Sequence, residues 1–276
     1  MSQQEMAERA HSPISGSKIE RFLCCPTSFH KDERDLPDTS PKNAAKEGER
    51  AHDLAEQCLL TGEDAVADCR NSLMRSGAIA YRNFIRANAS EDDSRITTEQ
   101  FVCMGANFGL PPQYIGGYYD AMYDGDETLH LFDYKFGFHV VEPNTRQLTF
   151  YILAKLMTDM WNKDHSLPFG IREICEACAD EASRRTFKQS IIQPKRKDGI
   201  AHTYELSLIE LKQFAIDLWD SVGRYVDSPR FLEKDTKPNA YCKYCEKRLF
   251  CPNVDRGVLD LDPNVAPKFH FERKPS

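Results

Sequence analysis

Between Ile96 and Phe136 the chain stops reading like a helix. Three runs, Ile96 to Met104, Tyr114 to Tyr123 and Thr128 to Phe136, are rich in β-branched and aromatic residues. Turn signals such as Asp124-Gly125-Asp126 part them, so the sequence predicts a meander of three strands. The second run delivers Asp120 after Gly116-Gly117-Tyr118-Tyr119, and the third delivers Leu131-Phe132-Asp133-Tyr134-Lys135. Side chains alternate faces along an extended chain, so Asp133 and Lys135 share a side while Tyr134 points away. A carboxylate beside a cation, with a second carboxylate on the neighbouring strand, suits chemistry on a phosphodiester.

The flanking segments return to helical spacing. Helices are expected over Asn43 to Leu60, Ser72 to Ala87, Asn144 to Trp161 and Ser207 to Val226; the last carries Leu208, Leu211, Phe214, Ala215, Leu218 and Val222 as one stripe. Ser17-Lys18-Ile19-Glu20 has capping-box spacing, so a short helix is expected to start at Ser17, bury Ile19, Phe22 and Leu23, and stop at Cys24-Cys25-Pro26. Ile171 to Cys178 and Phe187 to Gln193 read as further strands. Gly48 interrupts a helix at a cost of about 1 kcal/mol relative to alanine, either for no reason or to admit a close backbone or phosphate. This order implies an α/β fold with a mixed central β-sheet flanked by helices, not a doubly wound parallel one. Residues 1–15 read as a flexible leader, 16–253 as a single domain and 254–276 as a tail.

The net charge of −7 over 276 residues argues against a passive nucleic-acid coat. It is compatible with an enzyme that clusters acids and keeps its Lys and Arg in one groove. No apolar run approaches the roughly 20 residues that span a bilayer, and residues 1–11 lack a signal peptide's pattern, so a cytoplasmic protein without membrane contact is expected. Neither a Gly-x-Gly-x-x-Gly nor a Walker loop is present, which leaves a nucleotide cofactor unsupported. Ten cysteines are many for a reducing compartment and point to metal or cluster ligation for some of them.

Four pieces make up the chemical constellation: His52 on a helix after Glu47-Gly48, Asp120, the pair Asp133 and Lys135, and Gln147 with Tyr151 one helical turn apart. Carboxylates and waters suit Mg²⁺, and an added imidazole shifts preference toward Mn²⁺. Lys135 would orient or help deprotonate a water, or stabilise developing charge. The spacing Glu47-Gly48-x-x-x-His52, Gly117-x-x-Asp120, Asp133-Tyr134-Lys135-x-Gly137 and Gln147-x-x-x-Tyr151 resembles the PD-(D/E)XK nuclease superfamily. Within it the chain is most similar to RecB-like nucleases, the CRISPR-associated iron–sulfur exonucleases and phage-type exonucleases. That resemblance implies a restriction-endonuclease-like core, with His52, Asp120 and Asp133 as ligands of Mg²⁺ or Mn²⁺. It also implies the Tyr134 carbonyl as a further ligand, Lys135 as catalytic, and Gln147 and Tyr151 contacting DNA or positioning the site. Tyr118 departs from the family pattern, where a small or hydroxyl residue follows the glycine.

Cys242-x-x-Cys245 with Cys251-Pro252 supplies three thiolates, and Cys25 or Cys24 is the candidate fourth. The resemblance implies a [4Fe–4S] cluster held by Cys25, Cys242, Cys245 and Cys251 as a C-terminal clasp, Cys25 being preferred because it directly precedes proline. The alternative is Zn²⁺ on Cys175, Cys178, Cys242 and Cys245, disfavoured if Cys175 and Cys178 lie three apart on a strand. Candidate DNA contacts are Arg184-Arg185, Lys195-Arg196-Lys197, Lys243 and Lys247-Arg248, with Tyr118, Tyr119 and Phe138 as stacking surfaces for unpaired bases. The expected function is a divalent-metal-dependent DNA exonuclease acting on single strands or duplex ends in recombination, repair or phage DNA processing. The alternative is a non-catalytic DNA- or protein-binding protein that retains the fold. Oligomeric state stays open.

Overall fold

A computed structural model describes residues 12–33, 35, 42–89, 92–163, 170–228, 230–232, 242, 245–247, 250 and 251. The chain divides into two compact units, Met1–Glu20 with Pro41–Asp220, and Arg21–Ser40 with Ser221–Ser276. Most of the expected leader, the whole expected tail, Lys243 and Arg248 lie outside the described residues.

The first unit is built on a five-stranded sheet in the order β1 (Ile96–Cys103), β2 (Gly116–Asp124), β3 (Thr128–Tyr134), β4 (Thr186–Ile192) and β5 (Ala201–Leu206). The β1–β2 and β2–β3 pairs are antiparallel, as a meander requires; β3–β4 is parallel and β4–β5 antiparallel. The sheet is therefore mixed, and helices cover it. Along β3 the alternation is complete: Phe132 and Tyr134 join a core with Ala51, Ala55, Cys58 and Leu59 of α2 (Lys42–Thr61) and Tyr81 and Ile85 of α3 (Ser72–Asn88). On the opposite face Asp124 and Gln189 reach Lys155 and Thr149 of α4 (Arg146–Lys163). Leu148, Phe150, Ile152, Leu153 and Leu156 are all buried on α4, so this helix is enclosed on most sides.

Two expectations are corrected. Ile171–Arg184 is a helix, α5, not a strand. Ile171, Ile174, Cys175 and Cys178 recur at i, i+3, i+4 and i+7, a helical stripe that the β-branched composition masked. The strand β5 had no counterpart in the sequence reading; it is the sheet's edge and reads Ala-His-Thr-Tyr-Glu-Leu, with little apolar signal. A smaller difference lies at α1 (Ile19–Cys24), where a 3-10 turn begins at Gly16 and Ser15 stands at the cap without a side-chain capping bond.

In the second unit Phe22 packs edge-on against Phe29 and Tyr225, and the His30 ring stacks on Tyr225 at 4.1 Å. Tyr225 belongs to α6 (Leu208–Asp227), the amphipathic helix the sequence predicts. Lys247 is wholly buried, its ammonium 2.6 Å from Asp35 and flanked by the Phe231 and Phe250 rings. Among the described residues no helix is long and apolar enough to cross a membrane.

Candidate active site at the parting of β2 and β3

The β2–β3 ladder ends at the pair Ala121 and Phe132. One residue further on, where Asp120 and Asp133 would face each other, the strands part. The Tyr134 N–H there donates to the Asp120 carboxylate at 2.7 Å, while Lys135 N–H continues to bond β4 through Ile192 O at 2.9 Å. The gap is thus made by a side chain standing in for a strand. His52 reaches it from α2, its Nδ1 lying 3.2 Å from Asp120 Oδ2. Lys135 Nζ donates to Asp133 Oδ1 at 3.0 Å and lies 2.9 Å from Oδ2, which is buried and takes no aligned hydrogen bond. Five of the expected site residues, His52, Asp120, Asp133, Tyr134 and Lys135, therefore meet in one place. Tyr134 turns its ring away, edge-on to His52 and Tyr81, as the alternation requires.

Gln147 and Tyr151 extend this arrangement from α4. They stand one helical turn apart, and the charges of Asp120 and Asp133 are felt at the Tyr151 hydroxyl. The Tyr151 ring fills the space over two glycines: a Cβ on Gly16 would lie 2.6 Å from it and one on Gly117 3.2 Å. Gly117, in β2 three residues before Asp120, lies close under this ring, which would have to give by a few tenths of an ångström to admit a Cβ. Tyr118 is half-buried against Phe101, whereas Tyr119 is buried and bonds Thr97, so Tyr119 belongs to the core and offers no stacking surface.

The electrostatics separate the two acids. Burial works to raise the Asp120 carboxyl, but the His52 charge and hydrogen bond, Lys135 and the Tyr134 N–H hold it below its ordinary value. Burial pushes Asp133 up against the pull of Lys135, and the neighbouring Asp120 charge adds to the rise. For His52, burial works against protonation, yet Asp120 raises its pKa above the ordinary value. Burial likewise opposes the Lys135 charge, and Asp133 and Asp120 more than restore it. Two carboxylates driven apart in this way are the arrangement that acid–base sites use.

Sequence reasoning missed Glu99. In β1 the residues Thr98 and Gln100 pair with Ala121 and Tyr119, and Glu99 between them is skipped opposite Asp120 with φ of 48°. The register is unbroken across this position, so Glu99 is a local backbone distortion opposite Asp120 and not an inserted residue. The Glu99 charge is felt at the hydroxyls of Tyr81 and Tyr151 together with those of Asp120 and Asp133. A positive φ at a non-glycine leaves no mark in sequence. Glu56, one turn after His52, accepts a hydrogen bond from Thr98 and adds a further acid nearby.

The donor types suit a hard divalent cation: two carboxylates, one imidazole and the Tyr134 carbonyl. The buried, unaligned Asp133 oxygen is a lone pair such an ion could use. Lys135 lies 2.9 Å from Asp133 and His52 3.2 Å from Asp120, and among the described residues no group of three or more His, Cys, Asp and Glu is arranged to hold a metal. The same holds for the cysteines. Cys25 is buried and Cys242, Cys245 and Cys251 half-buried, all within the second unit, with Cys245 N–H bonding Cys242 O at 3.1 Å. These four cysteines are the ones that the resemblance implies as cluster ligands. Cys175 and Cys178 sit three apart on α5 and so share a face, which removes the strand-based objection to the zinc alternative.

Of the expected DNA contacts, Arg185 is engaged by Asp124 and Glu181, and Arg184 by Asp180 and Glu181. Lys247, buried against Asp35, presents no charge to a phosphate.

The chain is thus an α/β protein whose mixed sheet opens at one end onto a pair of carboxylates, Asp133 buried beside Lys135 and Asp120 half-buried beside His52. Residues 11–161 match the model of a family described as protein of unknown function (DUF2800), and the chain belongs to that family. No curated protein matches it. A solved structure titled "Crystal structure of SSO0001" aligns over 86% of this chain and 96% of that one at 16% identity, with a TM-score of 0.28, a likeness too low to define the fold.

Proposed function

We propose that this protein is a divalent-metal-dependent DNA exonuclease with a restriction-endonuclease-like core and a [4Fe–4S] clasp, working in the cytoplasm on single strands or duplex ends. What carries the reading is the parting of β2 and β3, where Asp120 and Asp133 stand beside Lys135 and His52. His52, Asp120, Asp133 and the Tyr134 carbonyl would hold Mg²⁺ or Mn²⁺, which supplies Lewis acidity and a more acidic bound water. The Tyr134 N–H and His52 fix the Asp120 carboxylate. Lys135, held by Asp133, keeps a positive charge at the point where a phosphate's negative charge builds up, and can orient the attacking water by donating to it. Tyr151, close over Gly117, forms part of the wall near the two acids.

The test is digestion of end-labelled single- and double-stranded DNA with Mg²⁺ or Mn²⁺. Wild type should release nucleotides from ends, and Asp133→Ala and Lys135→Ala should each lose 100-fold or more, on the order of 3 kcal/mol of barrier. Equal cleavage by all three would sink the assignment. The second reading is a non-catalytic DNA- or protein-binding protein that retains the arrangement. One observation favours it: Asp133 is already ion-paired with Lys135, and Asp120 lies 3.2 Å from the His52 imidazole. Metal-independent DNA binding without cleavage would decide for it. Zn²⁺ in place of the cluster would leave the site on β2 and β3 unchanged.

A further inference from the structure

Three residues beyond Lys135 the chain holds a phenylalanine out in water. Phe136 is buried in the core between the sheet, α2 and α3, but Phe138 is 79% exposed and Val140 55%. Leaving these side chains in solvent forgoes roughly 1.5–3 kcal/mol apiece that burial would provide. The segment is nonetheless fixed. Gln193, 1% exposed at the end of β4, donates its amide to Gly137 O at 2.8 Å and His139 O at 2.6 Å and accepts from Val141 N–H at 3.2 Å. Arg196 donates to Val141 O and Glu142 at 3.1 Å each. One buried amide therefore pins three backbone groups of a five-residue stretch, and the aromatic within it is exposed to solvent. Lys195, its side chain 7% exposed and 3.8 Å from Glu47, completes the arrangement, its ammonium 3.9 Å from the Phe136 ring centroid and 4.3 Å from that of Phe138.

We propose that the 137–141 loop is a rigid stacking platform on which Phe138 receives an unpaired base of the DNA strand, with Lys195 holding the ring by its cation–π contact. The inference rests on the nuclease reading of the adjoining site. A π-face open to solvent, a cation at the same ring and a fixed backbone are what an unpaired base needs; stacking is sequence-tolerant because every base has a π-face. Three residues of chain span at most about 10 Å, so Phe138 stands within reach of nucleotides beside the bond that Lys135 would serve. A base inside a duplex has no exposed π-face, so the platform selects single strands and frayed ends.

The experiment measures binding of the full chain in EDTA to fluorescently labelled oligothymidylate, to a base-free strand of equal length and to a blunt duplex. Phe138→Ala should weaken oligothymidylate binding about tenfold, in line with the stacking range, and leave the base-free strand unchanged. Phe138→Trp should retain binding and gain a fluorescence signal, above that of wild type, which oligothymidylate quenches. Gln193→Ala should weaken oligothymidylate binding as well, by loosening the loop. Equal losses on both strands, no loss at all, or an unquenched Phe138→Trp would overturn the platform, as would wild-type binding to no strand. With Mg²⁺ or Mn²⁺ added, cleavage separates the two claims. Wild type that stacks bases but cuts nothing keeps the platform and removes the nuclease. Wild type that cuts, with Phe138→Ala binding and cutting alike, does the reverse.

Discussion

Asp120 and Asp133 differ by what stands beside them: a backbone N–H and an imidazole for one, a lysine and burial for the other. His130, three residues before the parted position at Asp133, makes the same point without any site. It is buried, its Nε2 is 2.8 Å from Ser190 Oγ, and Ser190 in turn bonds Thr203. Burial first, and then the charge of Lys188, depress its pKa from 6.5 to about 3. The folded chain therefore keeps this imidazole neutral where the unfolded chain would protonate it. Below pH 6.5 the unfolded state binds the extra proton, so stability falls as pH drops from 6.5 toward 3 and is insensitive to this group above that window. At one unit below its ordinary pKa the cost is about 1.4 kcal/mol. Urea unfolding at pH 7.5 and 5.5 should show His130→Gln losing that much less stability than wild type over this interval. Equal losses in the two proteins would mean that His130 does not titrate as its burial dictates.

At the scale of elements, α2 carries both His52 and an interior glycine. A Cβ added at Gly48 would meet nothing within 4 Å, so no protein group needs the glycine. Gly48→Ala should raise stability by about 0.5–1 kcal/mol, read from the urea midpoint, because alanine loses less backbone freedom on entering a helix. A lowered midpoint would show that the position is constrained. The same helix was legible in advance because Ala51, Ala55, Cys58 and Leu59 recur on one face, and β1 to β3 because aromatic runs alternate with turn residues. Where local composition and period disagreed, as in α5, period was right: Ile174 and Cys178 are the buried pair. The edge strand β5 has a partner on one side only and needs few apolar residues, so its sequence carried little signal. The site was legible as far as strand alternation reaches, which covers Asp133 and Lys135. The positive φ of Glu99 opposite Asp120, and the splitting of the ladder there, arise from pairing between strands and cannot be read along one of them.

For the molecule as a whole, the second unit draws together residues 21–40 and 221–276, which lie at opposite ends of the described chain. Cys25 belongs to the first of these segments and Cys242, Cys245 and Cys251 to the second. A cluster joining them would close a loop of more than 200 residues. By the chain-entropy relation for cross-links, such a closure removes roughly 5 kcal/mol of freedom from the unfolded state. The unit has other ties, notably buried Lys247 on Asp35 and Thr27 with Leu232, so it does not depend on the cluster alone to form. Protein purified without oxygen should accordingly contain stoichiometric iron and absorb in the visible. Cys25→Ser and Cys251→Ser should lose the iron and unfold at lower urea, with Cys24→Ser and Cys69→Ser as controls that keep both. Loss of iron in Cys24→Ser but not in Cys25→Ser would move the fourth ligand by one residue. Colourless wild type that binds one equivalent of zinc would replace the cluster with a zinc site, and the effects of Cys175→Ser and Cys178→Ser on zinc content would then say whether α5 contributes to it.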